Sequence, residues 1–161
     1  MLDYPGFGKS TGKFAEQRLY DYALQVYKMA RSRFVPQRII LYGKSLGAGV
    51  AAELAAVRDC KYLILETPCY SMSSLIAHFL PIYPVDQMLH YHFPINEYLT
   101  RVTAPVIIFQ GNDDGIVPYS NASKLKEILK PADEFITIDH GQHNNLNEFP
   151  AFHQKLDSLL H

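Results

Sequence analysis

The sequence contains no tryptophan, only two cysteines and no excess of charge of either sign. Its 15 lysine and arginine residues are balanced by 16 acidic residues, so the formal net charge is −1. The absence of a basic block argues against nucleic-acid binding and against a polybasic patch that docks on a membrane. No apolar stretch is long enough to span a bilayer, and no secretory signal precedes the first predicted element. We therefore expect neither a nucleic-acid partner nor a membrane span.

The two cysteines are predicted to stay unpaired. Cys60 and Cys69 flank the predicted strand Lys61–Glu66, and a strand rises about 3.3 Å per residue, so it holds the two thiols at opposite ends. A disulfide requires Cα atoms within about 7 Å of each other. Free thiols are typical of a reducing compartment, and we therefore expect a cytoplasmic protein.

The residues that are present have the composition of one globular domain. Hydrophobic residues make up 48% and charged residues 19% of the 161 residues, which favours a single folded domain over residues 1–161. Apolar runs typical of buried strands are Arg38–Tyr42, Lys61–Glu66, Val106–Gln110 and Glu134–Ile138. Helical spacing predicts helices at Ala15–Arg33, where Pro36 stops the helix, at Leu46–Arg58, at Ser120–Leu129 and at the end of the chain up to Leu160. This alternation predicts an α/β fold, a mostly parallel sheet with helices on both faces.

Residues 67–103 interrupt the alternation. Several prolines divide this segment into short helical pieces, and it is rich in aromatic side chains: Tyr70, Phe79, Tyr83, Tyr91, Phe93 and Tyr98. We interpret it as a small helical lid inserted into the domain. Ordinary core packing of an irregular connection is the alternative for any single residue.

A G-x-S-x-G sequence, Gly43-Lys44-Ser45-Leu46-Gly47, lies between a predicted strand and a predicted helix. This is the context in which such a sequence forms a sharp turn that exposes a nucleophilic serine. The backbone N–H of Leu46 then lies at a helix N-terminus, where it can donate to a developing oxyanion. The alternative is a glycine-rich turn whose serine caps the helix.

An acid and a histidine follow in the order that this arrangement requires. A serine hydroxyl is a poor nucleophile without a base. Asp114 lies in the loop Gly111–Pro118 after one predicted strand, and His143 lies in the loop after the next. The order serine, acid, histidine, with each residue directly after a strand, predicts a catalytic triad.

Taken together, these motifs resemble the serine-hydrolase branch of the α/β-hydrolase superfamily, near the serine aminopeptidase-like, BEM46-type proteins. The matching segments are Asp3–Ser10, which is similar to a D-Y-x-G-x-G-x-S sequence, Gly43–Gly47, Ala104–Pro118 and Gly141–Asn144. The resemblance covers essentially the whole chain.

The resemblance implies a role for each site residue. Ser45 is the expected nucleophile, Asp114 the acid, His143 the base, and Leu46 one oxyanion donor. It implies hydrolysis of an ester, thioester or amide bond of a small acyl substrate through an acyl-enzyme, with no metal and no organic cofactor. A serine aminopeptidase-like peptidase and a non-catalytic binding or scaffold protein that retains a relic triad stay open as alternatives.

Neighbouring residues compete for two of these roles. Asp113 adjoins Asp114 and is expected to shape the turn, and His140 is expected to end the preceding strand. Glu66 ends a middle strand, where some α/β-hydrolases place the acid, and we interpret it as a pocket or structural residue with a reserve acid as the alternative.

Two other motifs are weak. His90-Tyr91-His92 lacks a third metal ligand at a signature spacing. The glycines of Gly6-Phe7-Gly8 stand at the wrong distance from Lys9-Ser10 for a phosphate-binding loop. We therefore expect neither a metal site nor a nucleotide site.

The resemblance also implies strands that precede Asp3–Ser10 and are absent from the sequence as written. In that fold the third strand lies beside the segment equivalent to Arg38–Tyr42, and the loop after it supplies a second oxyanion N–H. We therefore expect a fragment of a longer protein or a misassigned start. The chain as written should be poorly soluble or inactive, whereas an upstream-extended form should hydrolyse a generic acyl ester. A well-folded, active 161-residue monomer would contradict this expectation.

Overall fold

The computed structural model describes residues 15–84, 89 and 91–160 of the chain. The Asp3–Ser10 segment and Gly6-Phe7-Gly8, as well as His90, lie outside the described residues. What the sequence predicts for these segments therefore stays a prediction.

The strands form one parallel sheet in the order β1-β2-β3-β4. Their bounds are Ile40–Lys44 for β1, Tyr62–Glu66 for β2, Val106–Gly111 for β3 and Glu134–Ile138 for β4. Each strand pairs with the next one along the chain, so every connection must cross back over the sheet. The carboxyl ends of all these strands consequently meet at one edge, where the loops that follow them can converge.

Helices cover both faces of this sheet, which confirms the predicted α/β fold. They are α1 (Glu16–Arg31), α2 (Leu46–Val57), α3 (Met72–Phe79), α4 (Ile95–Leu99), α5 (Tyr119–Ala122) and α6 (Pro150–Leu160). Short 3₁₀ helices occur at Pro36–Arg38, Ser123–Ile128 and Leu146–Glu148.

Several predicted boundaries differ from the structure. Helix α1 ends at Arg31 rather than Arg33, because Val35 precedes a proline and is extended, with φ −72° and ψ 154°. Pro36 then begins a 3₁₀ turn, so β1 starts two residues later than predicted, at Ile40 rather than Arg38. The predicted helix Ser120–Leu129 is α-helical only over Tyr119–Ala122 and continues as a 3₁₀ helix.

Alternate residues of the inner strands face opposite layers of core. Leu63 and Leu65 of β2 pack with the alanine-rich helix α2, whereas Ile64 packs on the other face with Phe152 of α6. Phe152 also packs against Phe109 of β3, with ring centroids 4.6 Å apart and the ring planes tilted by 54°. Burial on both faces explains why these strands read as continuous apolar runs rather than as an alternating pattern.

Strand β1 lies at the edge of the described sheet. Within residues 15–84, 89 and 91–160 it pairs with β2 alone. A cavity of about 830 Å³ lies between this edge and α1, and its lining includes Ala23 and Tyr42. The Tyr42 side chain is 48% exposed there. One side of β1 therefore has no strand partner in the described part of the chain.

Both cysteines are free, as predicted. No helix in the described residues is long and apolar enough to cross a membrane.

Candidate active site

Ser45 lies at a sharp turn between β1 and α2. Its φ of 52° and ψ of −120° are strained for a residue with a side chain, and its N–H donates to the Glu66 carbonyl at 2.8 Å. A Cβ on Gly43 would lie 2.3 Å from the carbonyl oxygen of Gly47, so only glycine fits at position 43. The turn therefore has the strand-turn-helix form that the G-x-S-x-G pattern predicts.

The structure brings the predicted serine, histidine and aspartate together. The Nε2 atom of His143 lies 2.9 Å from the Ser45 hydroxyl oxygen. On the other side of the ring, Nδ1 lies 2.8 Å from Oδ2 of Asp114. The three residues follow β1, β3 and β4, so the parallel sheet brings together side chains that are as many as 98 residues apart in sequence. Their catalytic roles stay a prediction.

Asp114 is held in an environment that favours its charge. Its Oδ1 atom accepts the backbone N–H groups of Ile116 and Val117, each at 2.8 Å. Burial raises the pKa of this carboxyl, but the hydrogen bonds from His143, Val117 and Ile116 outweigh burial and hold its pKa below the ordinary value. Asp114 is therefore ionised at neutral pH and orients the imidazole with Nδ1 as the donor.

Gln110 is a site residue that the sequence analysis missed. Gln110 lies near the end of β3, just before Gly111, and its side chain is fully buried. Its Nε2 donates to Oδ2 of Asp114 at 3.2 Å and to the Val117 carbonyl at 3.0 Å. It thus fixes both the carboxylate and the loop that carries it. The signal that could have found Gln110 is a lone polar residue at the end of the apolar run Val106–Phe109.

The competing residues lie apart from this arrangement. His140 pairs with Asp113 at 3.2 Å, but their side chains are 87% and 54% exposed. The Asp113 N–H donates to the Gly141 carbonyl, which agrees with the expectation that Asp113 shapes its turn. The preceding strand ends at Ile138, however, and His140 lies beyond it in the left-handed region, with φ 59°.

Glu66 supports the turn rather than contacting the histidine. Its buried carboxylate is paired with Lys44 Nζ at 2.7 Å and accepts a hydrogen bond from the Tyr42 hydroxyl. Burial and this hydrogen bond raise the pKa of Tyr42. Glu66 thus holds two side chains of β1 while its carbonyl holds the Ser45 N–H, which favours the structural interpretation.

Leu46, the predicted oxyanion donor, is the first residue of α2. The N–H groups at the start of a helix have no partner inside the helix, so this N–H is available to a ligand at the serine. Its role in catalysis stays a prediction.

The aromatic residues of 67–103 divide into two groups. Phe93 is 1% exposed and packs so closely on α2 that a Cβ on Gly49 would lie 2.7 Å from its ring. Phe79 and Tyr83 are 55% and 59% exposed. Some of these residues therefore belong to the core, and the lid stays a prediction.

Two cavities adjoin the serine and the histidine. The first, which we call the Ser45 cavity, has a volume of about 210 Å³ and is lined almost entirely by apolar groups: Ser45, Leu46, Gly49, Thr67, Cys69, Met72, Leu75, Phe93, Ile95, Ile116 and Val117. Burial raises the pKa of the Cys69 thiol to about 11, so this thiol is protonated at neutral pH and does not compete with the serine. The second, the His143 cavity, has a volume of about 330 Å³ and is lined by Asp113, Gly115, Ile116, Gln142, His143, Asn144 and Asn145.

The described residues hold no group of three or more side chains that could bind a metal ion. Of the weak histidine motif, only Tyr91 and His92 are described, and the His92 N–H donates to the Glu16 carboxylate.

No protein-family model matches the sequence. The chain is 32% identical over 147 residues to an uncharacterized protein of Mycobacterium tuberculosis, covering 90% of this chain and 52% of that protein. It is 29% identical over 163 residues to the human alpha/beta hydrolase domain-containing protein 17C, covering 98% of this chain and 47% of that protein. The chain thus spans about half the length of the curated relatives it matches.

Solved structures show the same fold. The Pyrococcus furiosus esterase Pf2001 matches with a TM-score of 0.74 and 18% identity, covering 98% of this chain and 66% of the esterase. A Paleococcus ferrophilus monoacylglycerol lipase matches with a TM-score of 0.67 and 17% identity, covering 98% of this chain and 81% of the lipase.

We expect Gly43→Ala to destabilise the protein by roughly 1–3 kcal/mol, because the added methyl group meets backbone atoms of the serine turn that have no space to move. Urea unfolding measures this loss. Gly115→Ala is the matched control, since nothing lies within 4 Å of a Cβ at that position. Equal stability of the two variants would contradict the described turn.

We expect Asp114 to make the free energy of unfolding depend on pH. Its pKa in the folded protein lies below the ordinary value of 3.8, so its stabilising effect is complete above that pH and is lost as the pH falls through the lowered pKa. Asp114→Asn does not titrate. The stability difference between the wild type and this variant should therefore shrink in urea unfolding as the pH falls from about 5 to about 2. A constant difference would contradict the lowered pKa.

Proposed function

Because this chain belongs to the α/β-hydrolase superfamily, we propose that it is a serine hydrolase that cleaves an ester, thioester or amide bond through an acyl-enzyme. The observation that carries the proposal is the continuous hydrogen-bonded path from Ser45 through His143 to Asp114, with separations of 2.9 and 2.8 Å. These separations lie within the range that general-base activation of a serine requires.

In this mechanism His143 Nε2 takes the proton of the Ser45 hydroxyl as its oxygen attacks the substrate carbonyl carbon. The carbonyl oxygen becomes an oxyanion that accepts the N–H of Leu46. The imidazolium then returns its proton to the leaving group, the bond to that group breaks, and an ester of Ser45 remains. Water, deprotonated by the same imidazole, hydrolyses this ester and restores the serine.

Asp114 supports the charge that forms on the imidazole. Its carboxylate accepts the Nδ1 proton, and its lowered pKa keeps it ionised while His143 is cationic. Gln110 Nε2 donates to the same carboxylate oxygen, Oδ2, at 3.2 Å. We infer that Gln110 is a positioning residue that keeps the carboxylate in the plane of the ring.

The two cavities favour a small substrate with one apolar end and one more polar end. The Ser45 cavity is almost entirely apolar, as an acyl chain requires, whereas the His143 cavity carries amide side chains beside the group that protonates the leaving atom. We infer that the acyl group occupies the first cavity and a more polar leaving group the second. No step in this reaction calls for a metal or an organic cofactor. We also propose that the protein is cytoplasmic and that it is similar to BEM46-type proteins.

A fluorophosphonate probe tests the proposal. The probe should label the folded, upstream-extended protein at Ser45, and labelling should disappear in Ser45→Ala. It should persist in Ser158→Ala, whose hydroxyl lies on the surface of α6 and donates to the Lys155 carbonyl. An upstream-extended, folded protein that does not react would favour the non-catalytic alternative and end the proposal.

A substrate panel then separates the esterase from the peptidase. We expect p-nitrophenyl esters to be hydrolysed and aminoacyl p-nitroanilides to be poor substrates, with a fall in kcat of about 10³-fold or more in His143→Ala. Faster turnover of the anilides would favour the aminopeptidase-like alternative.

A further inference from the structure

Thr67 lines the Ser45 cavity and has two unusual features, a strained backbone and a buried, unpaired hydroxyl. The proposed mechanism uses neither of them. It follows β2 directly, and its N–H donates to the Phe109 carbonyl at 2.9 Å. Its φ is 49°, in the left-handed region that β-branched residues avoid. Such strain persists only where the surrounding structure enforces it, and it is concentrated at sites that bind or react with ligands.

The Thr67 hydroxyl is also buried without a hydrogen bond. The residue is 0% exposed, and within residues 15–84, 89 and 91–160 its Oγ1 has no partner. An unpaired hydroxyl in the interior is unfavourable, and each such group in a folded protein calls for an explanation. Thr67 lines an otherwise almost entirely apolar cavity. Its hydroxyl has almost no accessible surface, so a bound molecule with one polar atom would supply the missing partner once the side chain turns toward it.

Strand pairing brings the backbone of Thr67 close to the backbone of the reacting serine. The Ser45 N–H donates to the carbonyl of Glu66, the residue just before Thr67. Neighbouring strands lie about 4.8 Å apart, so Thr67 stands about one strand spacing from the backbone of Ser45. A hydroxyl at this distance can reach an atom attached to the first or second carbon beyond the reacting carbonyl.

The cavity also limits the length of the acyl group. Its volume is about 210 Å³. A cavity of this size favours a short acyl group.

We propose that Thr67 is a specificity-determining residue whose hydroxyl binds an oxygen on the second or third carbon of a short acyl group. The preferred substrates are thus esters or thioesters of hydroxy- or keto-substituted short-chain acids. This inference rests on the proposed serine hydrolase activity and adds the acyl class to it.

The test compares p-nitrophenyl 3-hydroxyhexanoate with p-nitrophenyl 3-methylhexanoate, in which a methyl group of similar size replaces the hydroxyl. The 2-substituted pair is measured in the same way. We expect at least one of the two pairs to give a kcat/KM ratio that favours the hydroxy ester by about tenfold or more in the wild type. In Thr67→Val, which keeps the shape and the β-branch, this ratio should fall to near one. Thr67→Ser should retain the preference.

A stability measurement separates ligand recognition from a structural role. Because the hydroxyl has no partner in the described structure, Thr67→Val should unfold at the same urea concentration as the wild type or a higher one. A clearly lower midpoint would show that the hydroxyl serves the fold and would overturn the proposal.

The remaining outcomes are distinct. If the wild type turns over both esters of each pair equally, the acyl class is wrong while the hydrolase function stands. If Thr67→Val slows both esters by the same factor, the hydroxyl acts on a shared step, such as holding the attacking water, and the proposal is wrong. If the wild type neither hydrolyses these esters nor reacts with the fluorophosphonate, both the function and the inference fail.

Discussion

Parallel pairing of the strands β1 to β4 is the constraint on which the candidate site depends. The strands run in one direction in the order β1-β2-β3-β4, so the loops that follow them leave the sheet at the same edge. The hydrogen bond from the Ser45 N–H to the Glu66 carbonyl extends this pairing one residue beyond β1. It thereby locks the serine turn to its neighbour. A hydroxyl, an imidazole and a carboxylate from distant parts of the chain consequently meet within hydrogen-bonding distance.

The two sides of the candidate site differ in polarity. The carboxylate of Asp114 is buried, but backbone N–H groups and Gln110 satisfy it, so it keeps its charge where an isolated carboxylate would not. The other flank is almost wholly apolar, and Thr67 leaves its hydroxyl unpaired there. The same sheet edge thus offers the base a carboxylate held by several hydrogen bonds, and offers a ligand an apolar pocket with an unpaired hydroxyl. This contrast assigns the acyl group to one side and the leaving group to the other.

The sequence was sufficient for the fold and for the residues that meet at the site, because both are encoded by local patterns. Buried strands appear as short apolar runs, and Ser45, Asp114 and His143 each follow one of them directly. Residues that act through packing have no such pattern. Gln110 and Thr67 look like ordinary polar residues at strand ends, and only the three-dimensional arrangement reveals that both are fully buried. The end of α1 was predicted two residues too late, at Arg33 rather than Arg31, because the extended backbone of Val35 before Pro36 favours an earlier end of the helix.

The serine and the histidine of the proposed site act as one unit, and a double-mutant comparison tests this most directly. The kcat for p-nitrophenyl hexanoate is measured for the wild type, Ser45→Ala, His143→Ala and the double variant, each shown to be folded. Residues that act as one unit are grossly non-additive, so the double variant should be about as slow as either single variant. Losses that multiply, or a His143→Ala enzyme that retains nearly full activity, would contradict the proposed site.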